Sequence, residues 1–142
     1  MTIHKVVVDT DLILSHVMQE EGASLLRKAM NMFFCYTTVF NAIEAFSVAG
    51  SEKEIKAIDD AMSALKVLGL NGKSAKGIGK TISTLKTPSG DIYPVLMAGI
   101  CIESKLPILT MNPGRFSRIK HIRLINARLL DRYSTPAEIL SQ

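Results

Sequence analysis

Short apolar runs alternate with longer amphipathic stretches along this chain, and the first run sets the frame. Val6, Val7 and Val8 are three consecutive β-branched residues, which read as a strand buried on both faces, as in the middle of a parallel sheet. The run stops abruptly at Asp9, Thr10 and Asp11. Residues 12–19 continue as a helix with Thr10 or Asp11 as its cap, broken by Gly22. A second helix is expected over 23–32 and a second strand over 33–36, which is aromatic and flanked by Thr37 and Thr38. Over 39–48 apolar residues fall at 39, 40, 43 and 46, a helical spacing that leaves Glu44 beside the buried stripe. Ser51 and Glu54 have the spacing of a capping box, and Ile55, Ile58, Met62 and Leu65 continue a helix over 52–66.

Residues 67–70 suit a short third strand, closed by the Asn71-Gly72 turn, and 74–85 a helix despite Gly77 and Gly79. After a loop over 86–90, the segment 91–104 is a helix that is apolar nearly all the way round. Strands follow over 107–110 and 123–125, and a last helix over 135–140 has Pro136 at its first position. This alternation predicts an α/β fold. We expect a central, mostly parallel sheet of four or five strands with helices on both faces, three layers in all, as a single domain over 1–142.

Composition sharpens the picture in two places. Hydrophobic residues make up 47% and charged residues only 21%, which suggests a sheet buried on both faces, an oligomer interface, or both. The longest apolar run, 93–102, is 10 residues, about half of the roughly 20 that a membrane-spanning helix needs, so it reads as a core helix. No signal-peptide pattern precedes the first strand, and a cytoplasmic location with no membrane partner is expected. Cys35 and Cys101 sit in apolar surroundings without zinc-ligand spacing and read as buried thiols, while His4, His16 and His121 are scattered.

Charge is polarised. Residues 1–71 hold 6 basic and 9 acidic side chains, net −3, whereas 72–142 hold 11 basic and 4 acidic, net +7. Lys73, Lys76, Lys80 and Lys86 come without an intervening acid, a pattern that suits either a solvated face or a surface for phosphate backbones.

Two nucleotide-binding patterns are excluded. Gly79-Lys80-Thr81 resembles the end of a phosphate-binding loop, but the required glycine five positions earlier is Ser74. The first strand ends in no glycine where a pyrophosphate would approach the backbone. Three acids stand out instead: Asp9 ends a buried strand, Glu44 interrupts a core helix, and Asp91 opens the most apolar helix. Each has an innocent role. Asp9 can cap the next helix, Glu44 can face solvent, and Asp91 at the N-cap would put Pro94 at the third helical position, where its missing N–H is harmless. Brought to one edge of the sheet, the three would repel one another unless a divalent cation lay between them.

With these residues in place, the chain resembles a PIN domain, the nuclease module of VapC-type bacterial and archaeal toxins. VVVDTDLIL resembles the opening strand of that family with its Asp-Thr pair, TTVFNAIEAFSVAG the segment with a helical Glu, GDIYPVLMAGICIESKLPILTMNPGRFSRI the third block, and IRLIN the closing strand. The resemblance implies a metal-dependent endoribonuclease in which Asp9, Glu44 and Asp91 hold Mg²⁺ or Mn²⁺. On this reading Thr10 and Thr110 are expected to support them, and Arg115, Arg118, Lys80 and Lys86 to contact RNA. It further implies a homodimer and a small antitoxin as partners. The chain departs from the family pattern where another acid often stands, since those positions here are Asn112 and Arg115. Asn112 could coordinate through its carbonyl oxygen, and Arg115 could reach a substrate phosphate. The alternative is a catalytically weak or inactive PIN-like module that binds RNA or protein.

Overall fold

In a computed structural model, which describes residues 3–85 and 91–142, five parallel strands form one sheet in the order β3-β2-β1-β4-β5. They are β1 (Lys5–Val8), β2 (Phe34–Thr38), β3 (Lys66–Leu68), β4 (Ile108–Thr110) and β5 (Leu124–Asn126). The helices are α1 (Thr10–Met18), α2 (Leu25–Met32), α3 (Val39–Ser47), α4 (Glu52–Met62), α5 (Gly72–Leu85), α6 (Tyr93–Ser104) and α7 (Pro136–Leu140). The expected α/β architecture is the one found, with five strands. Among the described residues no helix is long and apolar enough to cross a membrane.

The valine run lies in the centre of the sheet and feeds two cores, because successive side chains of a strand point to opposite faces. Val6 and Val8 pack with Leu12 and Ile13 of α1, Leu26 of α2 and Ile58 of α4. Val7 packs on the other side with Met97, Ala98 and Cys101 of α6, Ile108 and Phe116. All three valines are fully buried. Helix α5 packs on α6 where Gly99 leaves room for Ile78.

Several boundaries differ from expectation for identifiable reasons. Helix α1 starts at Thr10, two residues early, because Asp9 is its N-cap, accepting the Thr10 N–H through Oδ1 at 2.8 Å. Neither Thr10 nor Asp11 fills that place. Helix α6 starts at Tyr93 with Ile92 at the N-cap, which puts Pro94 at the second helical position and leaves Asp91 one residue outside. Helix α4 stops at Met62, so that Lys66 opens β3 in register with Tyr36. The chain also forms two 3-10 turns, Pro113–Phe116 and Ala127–Asp131, at the ends of β4 and β5. The expected loop over 86–90 lies outside the described residues.

Candidate functional site

The carboxyl ends of β1, β2 and β4 meet at one edge of the sheet, and the acids collect there. Asp9 follows the last residue of β1 and is fully buried. Its Oδ1 accepts from Thr10 N at 2.8 Å and from Asn41 Nδ2 at 3.3 Å, and its Oδ2 from Thr110 Oγ1 at 2.8 Å. Asn41 is itself fixed by a capping box with Thr38 at the start of α3, and its Nδ2 also donates to Thr10 Oγ1 at 2.9 Å. Three residues further along α3, one helical turn away, stands Glu44. Asp91, just ahead of α6, accepts the Tyr93 N–H at 3.2 Å.

A cation from the same chain sits among these acids. The 3-10 turn Pro113–Phe116 is anchored by Phe116, whose ring is buried in the core beside Val7 and Met97, and the residue before it turns inward. Arg115 grips Glu44 with both terminal nitrogens, Nη1 to Oε1 at 3.2 Å and Nη2 to Oε2. Its Nε and Nη2 donate to Asp91 Oδ2 at 3.0 and 2.8 Å, and Nη1 reaches Asp9 Oδ1 at 3.4 Å. A guanidinium has five N–H donors, and these contacts use five.

A fourth acid joins the edge. Asp11 Oδ2 accepts from Met111 N at 3.0 Å and from Thr110 Oγ1 at 3.1 Å, while its Oδ1 is buried without a partner among the described residues. The Thr110 hydroxyl carries one hydrogen for two carboxylates and accepts the Asn112 N–H at 3.0 Å. Burial, then the neighbouring Asp11 charge, pushes Asp9 up to about 6, against the pull of Thr110, Arg115 and Thr10. Burial likewise raises Asp11, and the bonds from Met111 and Thr110 oppose it. For Arg115, burial works against the charge, but the bonds it donates to Glu44 and Asp91 and the Asp9 charge outweigh it and hold the guanidinium protonated.

This edge lies where a parallel α/β sheet places its ligand crevice. No protein-family model matches the chain, and neither does any curated protein. Among solved structures, DNA-bound VapBC from Salmonella typhimurium is similar with a TM-score of 0.74 at 21% identity, over 89% of this chain and 99% of that one. VapBC2 from Rickettsia felis bound to a promoter fragment gives 0.71 at 17%, over 86% and 98%. VapBC-1 from nontypeable Haemophilus influenzae gives 0.67 at 20%, over 87% and 98%. The chain has the fold of PIN-domain VapC toxins.

Seen on the PIN fold, the three acids expected to act together do converge. Asp9, Glu44 and Asp91 share Arg115, with side-chain exposures of 0, 17 and 49%, so the cluster runs from the core to the surface. Thr10 and Thr110 form hydrogen bonds within it, to Asn41 and to Asp9. Asn112 joins only through its backbone N–H, with its side chain at the exposed rim. Lys80 and Arg118 are exposed, and among the described residues neither pairs with these acids, while Lys86 lies outside the described residues. Arg115, expected to reach a phosphate, has its donors engaged by carboxylates.

The donor chemistry fits a hard divalent cation, since carboxylate oxygens are what Mg²⁺ and Mn²⁺ take. The buried, unpartnered Oδ1 of Asp11 fits it too. The spacing is set by a larger guest: among the described residues no three His, Cys, Asp or Glu side chains stand as a metal ion would hold them. Sequence reasoning passed over Asp11 and Asn41 as parts of the site. The signals were there, a second acid two residues after Asp9 and an amide one turn before Glu44 on an otherwise apolar helix.

Proposed function

We propose that this chain is a metal-dependent endoribonuclease, the toxin of a toxin-antitoxin pair, hydrolysing RNA phosphodiester bonds in the cytoplasm at Asp9, Glu44 and Asp91. One observation carries the reading. Three carboxylates delivered by three separate elements converge at the ligand edge of a VapC-type fold, and one of them, Asp9, is fully buried. A buried carboxylate is costly, and folds retain such costs chiefly at working sites.

Asp9, Glu44 and Asp91 would hold Mg²⁺ or Mn²⁺. Such an ion, when bound, supplies positive charge to phosphoryl oxygens and acidifies a water molecule. The protein's own contribution is orientation. Thr110 and Asn41 lock the Asp9 carboxylate in one rotamer, the Thr10 backbone N–H donates to it, and the α3 capping box fixes the turn that carries Glu44. Lys80, Lys86 and Arg118, in the basic half, would attract the polyanion that four acids alone repel. The VapBC structures support a small antitoxin as partner, and exposed Met18, Ile43, Val48 and Ile55 support a second copy of the chain docking on α1, α3 and α4.

The test is incubation of the purified protein with a mixed RNA pool, with and without Mg²⁺ or Mn²⁺, beside Asp9→Asn. The expected result is metal-dependent cleavage by the wild type and none by the variant. Equal cleavage by both would refute the site. The engagement of Arg115 favours a second reading, an inactive module that binds RNA. In that case RNA binding ignores a chelator and Mn²⁺ leaves the melting temperature unchanged.

A further inference from the structure

Arg115 stands where the acids would otherwise need a metal, and its engagement is complete. Nε, Nη1 and Nη2 bond three carboxylates that come from β1, α3 and the approach to α6. We propose that Arg115 is a built-in competitor for the divalent cation: the site is closed by the chain's own guanidinium, and an ion enters only as Arg115 swings out. This rests on the metal-site reading above and adds its regulation.

Three features argue for competition rather than coexistence. The same oxygens are involved, because Asp9 Oδ1, both Glu44 oxygens and Asp91 Oδ2 are all engaged by Arg115. An ion at the roughly 2.1 Å typical of Mg²⁺ would lie within repulsive contact of the guanidinium bonded to those oxygens. The second feature is the hinge. Phe116 is buried and holds the 3-10 turn, while the Arg115 side chain is 19% exposed, so its long stem can rotate to solvent with the backbone in place. The third is charge. Asp9, Asp11, Glu44 and Asp91 together carry −4 when ionised and Arg115 returns +1, so the cluster keeps attracting a doubly charged ion that can displace a singly charged one. Once released, the guanidinium recovers the free donors that a phosphate contact requires.

The experiment reads binding of the metal alone. Mn²⁺ is titrated calorimetrically into the wild type and Arg115→Gln, with Asp9→Asn/Arg115→Gln as the site control. The expected result is affinity tighter by about tenfold or more in Arg115→Gln, and lost in the double variant. Equal affinity in wild type and Arg115→Gln overturns the competition and leaves the metal site standing. Absence of binding to both overturns the competition and the metal-site reading together. Should Arg115→Gln fail to fold, Mg²⁺ is titrated into ¹⁵N-arginine-labelled wild type and the Arg115 Nε–H resonance followed. It should shift as the ion saturates, and saturation with that resonance unmoved overturns the proposal.

Discussion

Replacing Thr110 by Val tests whether the hydroxyl at the end of β4 holds the buried acid. Valine matches threonine in shape, so the change removes a hydroxyl without opening a cavity. Thr110 is fully buried and its Oγ1 lies 2.8 Å from Asp9 Oδ2. A hydrogen bond to a charged group contributes about 1.5–3 kcal/mol, and the carboxylate left behind has no water to replace it. The longer contact to Asp11 adds little, because one hydrogen serves both acids, and the Asn112 N–H released by the change stands at the exposed rim where water can take it. The expected loss is therefore about 2–3 kcal/mol, or about 6–9 °C in Tm at roughly 3 °C per kcal/mol for a chain of this length. Thr110→Ser keeps the hydroxyl and loses one methyl, about 1 kcal/mol. Thermal and urea melts by circular dichroism should rank wild type, Ser, Val. The reverse order of the two variants would refute the bond and assign the position to packing. A pH series adds a second reading. Asp9 rises from 3.8 unfolded to about 6 folded, so the folded state holds the proton more tightly, and its stabilising contribution is full below 3.8 and lost as pH climbs through about 6. Thr110 pulls Asp9 downward. In Thr110→Val the fall in stability should therefore extend to higher pH than in the wild type.

Two further substitutions or probes reach other parts of the fold. In Gly99→Ala the new Cβ would meet Ile78 Cγ1 at 2.6 Å, with Cβ and Cγ2 at 3.2 and 3.3 Å, and a β-branched side chain cannot turn all three away. Overpacking at about 1–3 kcal/mol outweighs a helix-propensity gain of up to about 1, so denaturation should show a net loss that shrinks in the Ile78→Ala background, and simple additivity would refute the contact. Burial pushes the Cys35 thiol up to about 12 and Cys101 higher still, so a thiol reagent at pH 8 should label neither in the native protein and both in guanidinium; fast native labelling of either would show that its burial is wrong.

The strands and their order of appearance were legible because burial on two faces leaves a direct mark on sequence. Val6 to Val8 could serve no one-sided surface, and the structure divides them between two cores. Boundaries were less legible where one physical rule permits several answers. Proline is tolerated throughout the first helical turn, so Pro94 could not choose between Asp91 and Ile92 as the cap of α6. From its place just outside the helix Asp91 accepts the Tyr93 N–H with one oxygen and Arg115 with the other. The 3-10 turn Pro113–Phe116 is four residues long and carries no periodicity, yet it aims Arg115.

The acids of the site were legible because each stands against an apolar background. The cation was not, and the reason lies in how charge was counted. An arginine where the resemblance leads one to expect an acid reads, along the sequence, as one carboxylate lost. In space it is a swing from −1 to +1 at the centre of the cluster, since Arg115 bonds all three remaining acids. Asp11 partly reverses that swing by adding a carboxylate on the Thr110 side, and its unpartnered Oδ1 shows that the guanidinium does not satisfy the whole cluster. Burial, then the Asp11 charge, raises Asp9, although Arg115 pulls it down. Four carboxylates against one guanidinium leave the cluster under-compensated, which is the condition for a second, more highly charged partner to displace the first.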